Sequence, residues 1–257
     1  MFPLAHVYAI GRLVPGPGPL HVLGAIFPDA VLTNSLAWEQ THRSGAALYA
    51  FLRGREPAGL PFAVGMISHG CTPPGLDYYG DEQYGSFERG YSFEEARPYA
   101  DRVAEVCRLP AEMGWWKAHN FVEMALEWLL ARRDPSLGRQ LHEAFATAAE
   151  GPDAHPPLAR LVPCLAAFFG QDGDSLLHSL PAMAPFLAMG EMTPDILAER
   201  YQRQVRLKHG VEAIEVGGAA ALIEEIAVAI QPRCWAFLED VLAQIQAMLR
   251  QEGWDER

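Results

Sequence analysis

The chain has 257 residues, enough for one large domain with a substantial core. Half of its residues are hydrophobic and a fifth are charged, and a formal net charge of −12 excludes the broad cationic surface with which duplex nucleic acid binders neutralise phosphates. Cys71, Cys107, Cys164 and Cys234 stand far apart with no CxxC pair, which excludes a zinc ribbon and a thioredoxin-type redox motif.

The first stretch, MFPLAHVYAIGRLVPGPGP, has neither a basic n-region nor a long apolar h-region, so it does not read as a signal peptide. No apolar run approaches the roughly 20 residues that span a bilayer. The expectation is a cytoplasmic protein without a transmembrane segment. Residues 3–12 form a short apolar segment carrying His6, stopped by the Pro/Gly run that begins at Pro15.

HVLGAIFPDA then predicts an apolar helix ending at Pro28 and Asp29. Residues 33–54 predict one helix capped by Thr33 or Asn34, with His42 inside it. GLPFAVGMISHG predicts a compact apolar helix ending at Ser68, His69 and Gly70. From Cys71 to Tyr91 there is no clear period, and a loop of that length in a compact domain is often functional. Ser92 and Glu95 form a capping-box signature for one amphipathic helix over 92–108.

After Pro110 comes GWWKAHNFVEMALEWLL, residues 114–130, apolar around most of its circumference and so predicted to be buried nearly all round. An amphipathic helix follows over 134–150, then short apolar helices between about 157 and 190. A helix with a Thr-Pro start and a Gly stop covers 193–210. Two further helices, about 211–230 and 233–250, are predicted to form an antiparallel hairpin joined at Gln231–Pro232. No segment alternates with a period of two, and there is no repeat or obvious linker. The predicted fold class is all-α, a single compact multi-helix domain over 1–257, with a metal-binding half at 1–130 and a helical half of unassigned role at 131–257.

His119 and Glu123 stand four apart on the central helix, so both can point at a common atom. They could be a hydrogen-bonded pair in a core or two ligands of a divalent metal, since imidazole and carboxylate are ordinary zinc ligands. His6, His42 and His69 also fall in apolar or helical surroundings, with Asp29 nearby in sequence, and several buried histidines with carboxylates are hard to satisfy without a cation. His21, His142, His155, His178 and His209 fall in polar or helix-end contexts and read as surface or capping residues.

The order of His6, LGAIFPD ending in Asp29, TH ending in His42, AVGMISH ending in His69, and HNFVE resembles the zinc-dependent phospholipase C and S1/P1 nuclease superfamily. Members of that all-helical family carry an N-terminal His, a Gly-x-x-x-Pro-Asp segment, a following His, a Gly-x-x-x-His helix and a late His-x-x-x-Asp/Glu helix. The resemblance covers roughly residues 5–125. It implies that Asp29, His42 and His69 hold one zinc, that His119 and Glu123 hold part of a second, and that His6 serves a third. The family's bridging carboxylate stands four residues after the His69 match, where this chain has Pro73, and the family's next His is missing. Asp77 is the substitute ligand, with Asp81 or Glu82 behind it. The number of zinc ions is therefore open between one and three.

What the resemblance implies is a metal-dependent hydrolase acting on a phospholipid or other small phosphodiester through a metal-activated water, with Asp29, His69 and Glu123 in the catalytic set. The aromatic loop residues Tyr78, Tyr79 and Tyr84 would shape the substrate cleft, or else pack over the bundle end. The missing bridge leaves open a relative without catalysis that serves as a helical binding or assembly protein. The small residues of GGAAALIEEIAVAI would suit a homodimer interface in that case. A helical His/Asp phosphohydrolase fits less well, because its adjacent His-Asp pair is absent.

Overall fold

Helical periodicity in the sequence becomes helix nearly throughout, and among the described residues there is no strand. The structure, a computed structural model, describes residues 3–30, 36–151, 153–179 and 192–254. In chain order the helices are α1 (Pro3–Leu13), α2 (Pro19–Ala30), α3 (Trp38–His42), α4 (Gly45–Arg53), α5 (Leu60–His69), α6 (Tyr91–Ala96), α7 (Ala100–Val106) and α8 (Gly114–Arg133). They continue with α9 (Ser136–Glu150), α10 (Pro156–Phe169), α11 over 173–179, α12 (Pro194–His209) and α13 (Val216–Gln251). The protein is all-α, and no helix among the described residues is long and apolar enough to cross a membrane.

Several expected elements are built differently. The single helix expected over 33–54 is two, α3 and α4, because the Ser44 hydroxyl donates to the Gln40 carbonyl and competes with the backbone bond that would continue the helix. Thr33 and Asn34 lie outside the described residues. At the start of α3 the Ala37 N–H donates to Gln40 Oε1 at 2.8 Å. His42 therefore ends a helix instead of sitting inside one. The helix expected over 92–108 is divided by a 3-10 turn at Arg97–Tyr99, where Pro98 removes a donor. Ser92 is buried inside α6 and caps nothing; Glu94 instead accepts from the Arg89 N–H at 3.1 Å.

The expected hairpin at Gln231–Pro232 is one continuous helix, α13, with Pro232 inside it. The apolar stripe explains this, since Ile223, Ile226, Ile230, Cys234, Phe237, Val241 and Ile245 are buried at helical spacing that keeps its phase through the proline. The lost hydrogen bond falls on an exposed face. Of the small residues of GGAAALIEEIAVAI, Ala219, Ala220 and Ala227 are buried within the chain, while Gly217, Gly218 and Ala221 are exposed. By contrast, α12 begins at its Thr193 cap and ends at a left-handed Gly210, where the sequence places both.

The contacts gather into two compact units whose segments interleave along the chain. One unit comprises Met1–Ala5, Tyr79–Pro135 and Met189–Asp240, and is built around α8 with α6, α7 and α12 against it. Residues on every side of α8 are buried, including Ala118, Phe121, Val122, Ala125, Leu126 and Leu130, although Trp116 is exposed. The other unit comprises His6–Tyr78, Ser136–Ala188 and Val241–Arg257, and is built around the pair α2 and α5, with α4 and α9 packed on them.

The α2–α5 crossing is backbone against backbone. A Cβ on Gly24 would stand 2.0 Å from the Phe62 carbonyl oxygen, and one on Gly65 would stand 2.3 Å from that of His21. Neither neighbour is a side chain that could swing aside. Gly65→Ala is expected to lower stability by about 3 kcal/mol, the upper end of ordinary overpacking. Urea denaturation compared with Gly11→Ala, where an added Cβ meets nothing within 4 Å, tests this.

Candidate metal centre

Five segments of one unit deliver a cluster of imidazoles and carboxylates. His6 lies on α1, Asp29 in the last turn of α2, His42 at the end of α3 and His69 at the end of α5. Asp77 directly precedes a π-helical turn at Tyr78–Glu82. Ligand atoms of His6, Asp29, His69 and Asp77 all lie within 4.8 Å of one another. His42 Nε2 joins them, 3.2 Å from His69 Nε2 and 3.4 Å from both Asp29 Oδ1 and Asp77 Oδ2. His69 Nε2 is 3.1 Å from Asp77 Oδ2 and 4.0 Å from Asp29 Oδ1. The second oxygen of Asp77 turns to His6, with Oδ1 3.4 Å from Nε2, and the His6 and His69 rings stack at 3.7 Å.

Hydrogen bonds on the far side of two rings assign their tautomers. His69 Nδ1–H donates to the Ala25 carbonyl at 2.6 Å. The Thr41 hydroxyl donates to the Trp38 carbonyl at 3.1 Å, and His42 Nδ1–H is shared between Thr41 Oγ1 at 2.8 Å and that same carbonyl at 3.2 Å. Both Nε2 atoms are then bare lone pairs facing each other and two carboxylates. Four acceptors at these separations repel unless a proton or a metal cation lies among them. His6 adds to the demand, because its buried Nδ1 has no hydrogen-bond partner among the described residues and its Nε2 meets Asp77 Oδ1 at 3.4 Å.

A donor set of this kind could hold a metal ion, and zinc gives the distances to compare. Zinc–nitrogen bonds near 2.05 Å at tetrahedral angles separate neighbouring ligand atoms by about 3.3 Å. Among His42 Nε2, His69 Nε2, Asp29 Oδ1 and Asp77 Oδ2, the nitrogen–nitrogen separation and the four nitrogen–oxygen separations run from 3.1 to 4.0 Å. The Asp29 side chain is 40% exposed while those of His6, His42, His69 and Asp77 are sealed, so the cluster meets solvent on the Asp29 side.

Electrostatics match this arrangement. Burial alone would lower the His42 pKa, but hydrogen bonds to Asp29 and Asp77 outweigh it and push it up to about 9. Burial would raise Asp77, yet the imidazoles of His69 and His6 and the contact with His42 help to hold it well below the usual carboxylate range. His6 goes the other way, lowered to about 4 by burial and then by His69, which keeps its ring neutral as a ligand must be.

His119 and Glu123 belong to the other unit and have their own partners. Asn120 Nδ2 donates to His119 Nε2 at 2.9 Å and to Glu123 Oε2 at 3.3 Å, while Asn120 Oδ1 accepts from the Tyr201 hydroxyl at 3.4 Å. The His119 ring stacks on Phe93 at 4.2 Å, and burial lowers its pKa to about 4. Asp81 lies close enough to oppose that shift, and Glu82 is half-buried in the π-turn. Tyr78 and Tyr79 are half-buried in the same turn. Tyr84 belongs to an aromatic group with Phe87, Tyr91 and Phe237, and its pKa is raised by burial and by Asp240. Of the histidines expected to be ordinary, His21 is buried and its Nδ1 accepts from the Gly18 N–H, while His155 starts α10 and contacts Glu150 at 2.8 Å.

Sequence reasoning passed over Trp38 and Thr41, which hold His42, and Glu127, which continues the His119–Glu123 face by one more turn. Glu127 is fully buried and accepts from the Leu4 N–H at 2.9 Å, and burial pushes its pKa up to about 7 despite the opposing charge of Arg200. The four-residue spacing was its available signal. Comparison of the chain with protein families, curated proteins and solved structures found no match.

A raised folded pKa means that the His42 contribution to stability is fully present below about pH 6.5 and is lost as pH rises through about 9. Metal-free protein in chelator is therefore expected to lose stability between those values. Denaturant midpoints at pH 6.5 and 9.5 check this, and His42→Gln should flatten that limb.

Proposed function

We propose that the protein is a metal-dependent hydrolase, a zinc phosphoesterase whose substrate is a phospholipid or other small phosphodiester. The observation that carries the reading is the convergence of bare imidazole nitrogens and carboxylate oxygens at zinc-ligand separations, with the Asp29 side chain in contact with solvent. His42, His69, Asp29 and Asp77 would hold one ion, and His6 with the second oxygen of Asp77 would extend the site toward another. Zinc bound there would polarise a phosphoryl oxygen, neutralise its charge and acidify a water. Asp77 is then the bridging carboxylate that the sequence lacks at Pro73.

The chain's own groups supply the rest. Asp29 has the one exposed side chain of the cluster, and so is the group placed to orient an incoming water. The bonds from Ala25, Thr41 and Trp38 keep the ligand nitrogens aimed inward without rearrangement. Net charge of −12 makes the cation a precondition for any anionic substrate.

Elemental analysis of protein purified without chelator or tag metal is the direct test. At least one zinc equivalent per chain is expected in the wild type, and none in His69→Ala or Asp77→Asn. Hydrolysis of an activated phosphodiester should fall by at least about 100-fold in both variants. Stable protein with no zinc, and none taken up on titration, would favour the helical binding protein instead.

A further inference from the structure

His69 ends α5 and Asp77 stands eight residues later, yet their ligand atoms are 3.1 Å apart, so the chain between them has to turn back onto the end of the helix. Backbone bonds guide the return. The Cys71 N–H donates to the His42 carbonyl at 2.6 Å, and the Gly75 N–H donates to the Gly70 carbonyl at 2.8 Å. Gly75 then rests on the end of α5 with no side chain between. A Cβ there would stand 2.5 Å from the Ile67 carbonyl oxygen, 2.7 Å from that of Gly70 and 2.8 Å from that of Ser68. All three are backbone atoms. Leu76, the next residue, is fully buried, and Asp77 follows it into the cluster, whereas Thr72 is exposed and Pro73 and Pro74 are half-buried.

We propose that Gly75 is a positioning residue for the metal centre, whose bare Cα lets residues 70–77 close on the end of α5 and so sets the Asp77 carboxylate against His6, His42 and His69. An added methyl group would lift the segment by close to 1 Å, since ordinary contact with those oxygens begins at 3.4 Å. Residues 72–74 give way at the surface, and the displacement passes to Asp77, where metal–ligand distances tolerate only about 0.2 Å. The ligands at the helix ends, His42 and His69, stay in place. The inference rests on the metal reading of the cluster given above.

Zinc itself is the probe, and its affinity for folded protein is measured by competition against a chromophoric chelator. Gly75→Ala is expected to bind zinc about 10-fold more weakly than the wild type. The deciding comparison adds Asp77→Glu, which lengthens the ligand by one methylene, about 1.5 Å. In the wild-type chain the longer side chain overshoots and should weaken zinc about 10-fold. In the Gly75→Ala chain the same change should recover most of the lost affinity. General loosening of the fold cannot produce that reversal of sign. Wild-type affinity in Gly75→Ala, or a loss that Asp77→Glu does not recover, would overturn the role of Gly75 and leave the metal site standing. Failure of both Gly75→Ala chains to fold would also overturn it, by making the glycine a requirement of the fold itself. A wild-type chain that takes up no zinc would overturn the metal reading and this inference together.

Discussion

Everything at the cluster depends on how closely α2 and α5 cross. Gly24 and Gly65 let one backbone rest on the other, and each sits one helical turn, or slightly more, before a ligand on its own helix: Asp29 after Gly24 and His69 after Gly65. Ala25, four residues before Asp29, presents the carbonyl that fixes the His69 tautomer. A side chain at either glycine would part the helices, and the carboxylate, the imidazole and that carbonyl would separate together. The glycines of the two short motifs thus have a mechanical explanation that does not require homology.

The second constraint is electrostatic. Acceptor atoms gathered in a sealed space must share protons or a cation, because each would otherwise be desolvated without compensation. In metal-free protein a proton on His42, held by Asp29 and Asp77, meets that need, while burial and then His69 keep His6 neutral. The same carboxylates that hold this proton are among the groups that could hold a metal ion. Within the cluster the Asp29 side chain is the exposed one, so the ligand atoms meet solvent on its side.

The buried polar face of α8 is satisfied differently. Asn120 spans His119 and Glu123 with its amide and reaches Tyr201 with its carbonyl, so three buried groups share hydrogen bonds. Glu127 holds the first turn of α1 through a backbone N–H. In this unit polar residues on an apolar helix are tied to one another and to α12 by hydrogen bonds through Asn120.

Local pattern determined a great deal. The all-helical class, the α12 caps at Thr193 and Gly210, and the candidacy of His6, Asp29, His42 and His69 follow from periodicity, capping chemistry and ligand type, which neighbouring residues settle among themselves. What the sequence could not decide were effects that distant partners impose. Pro232 reads as a turn until the apolar stripe on both sides is seen buried in one phase. Thr41 reads as an ordinary helical residue until its hydroxyl is seen between His42 and Trp38. Asp77 sits in a stretch without period, and its place between His6 and the His42–His69 pair depends on a fold that returns it to the ends of three helices. Helix type is set by contacts three and four residues apart, and a metal-ligand set by atoms that only tertiary packing brings together.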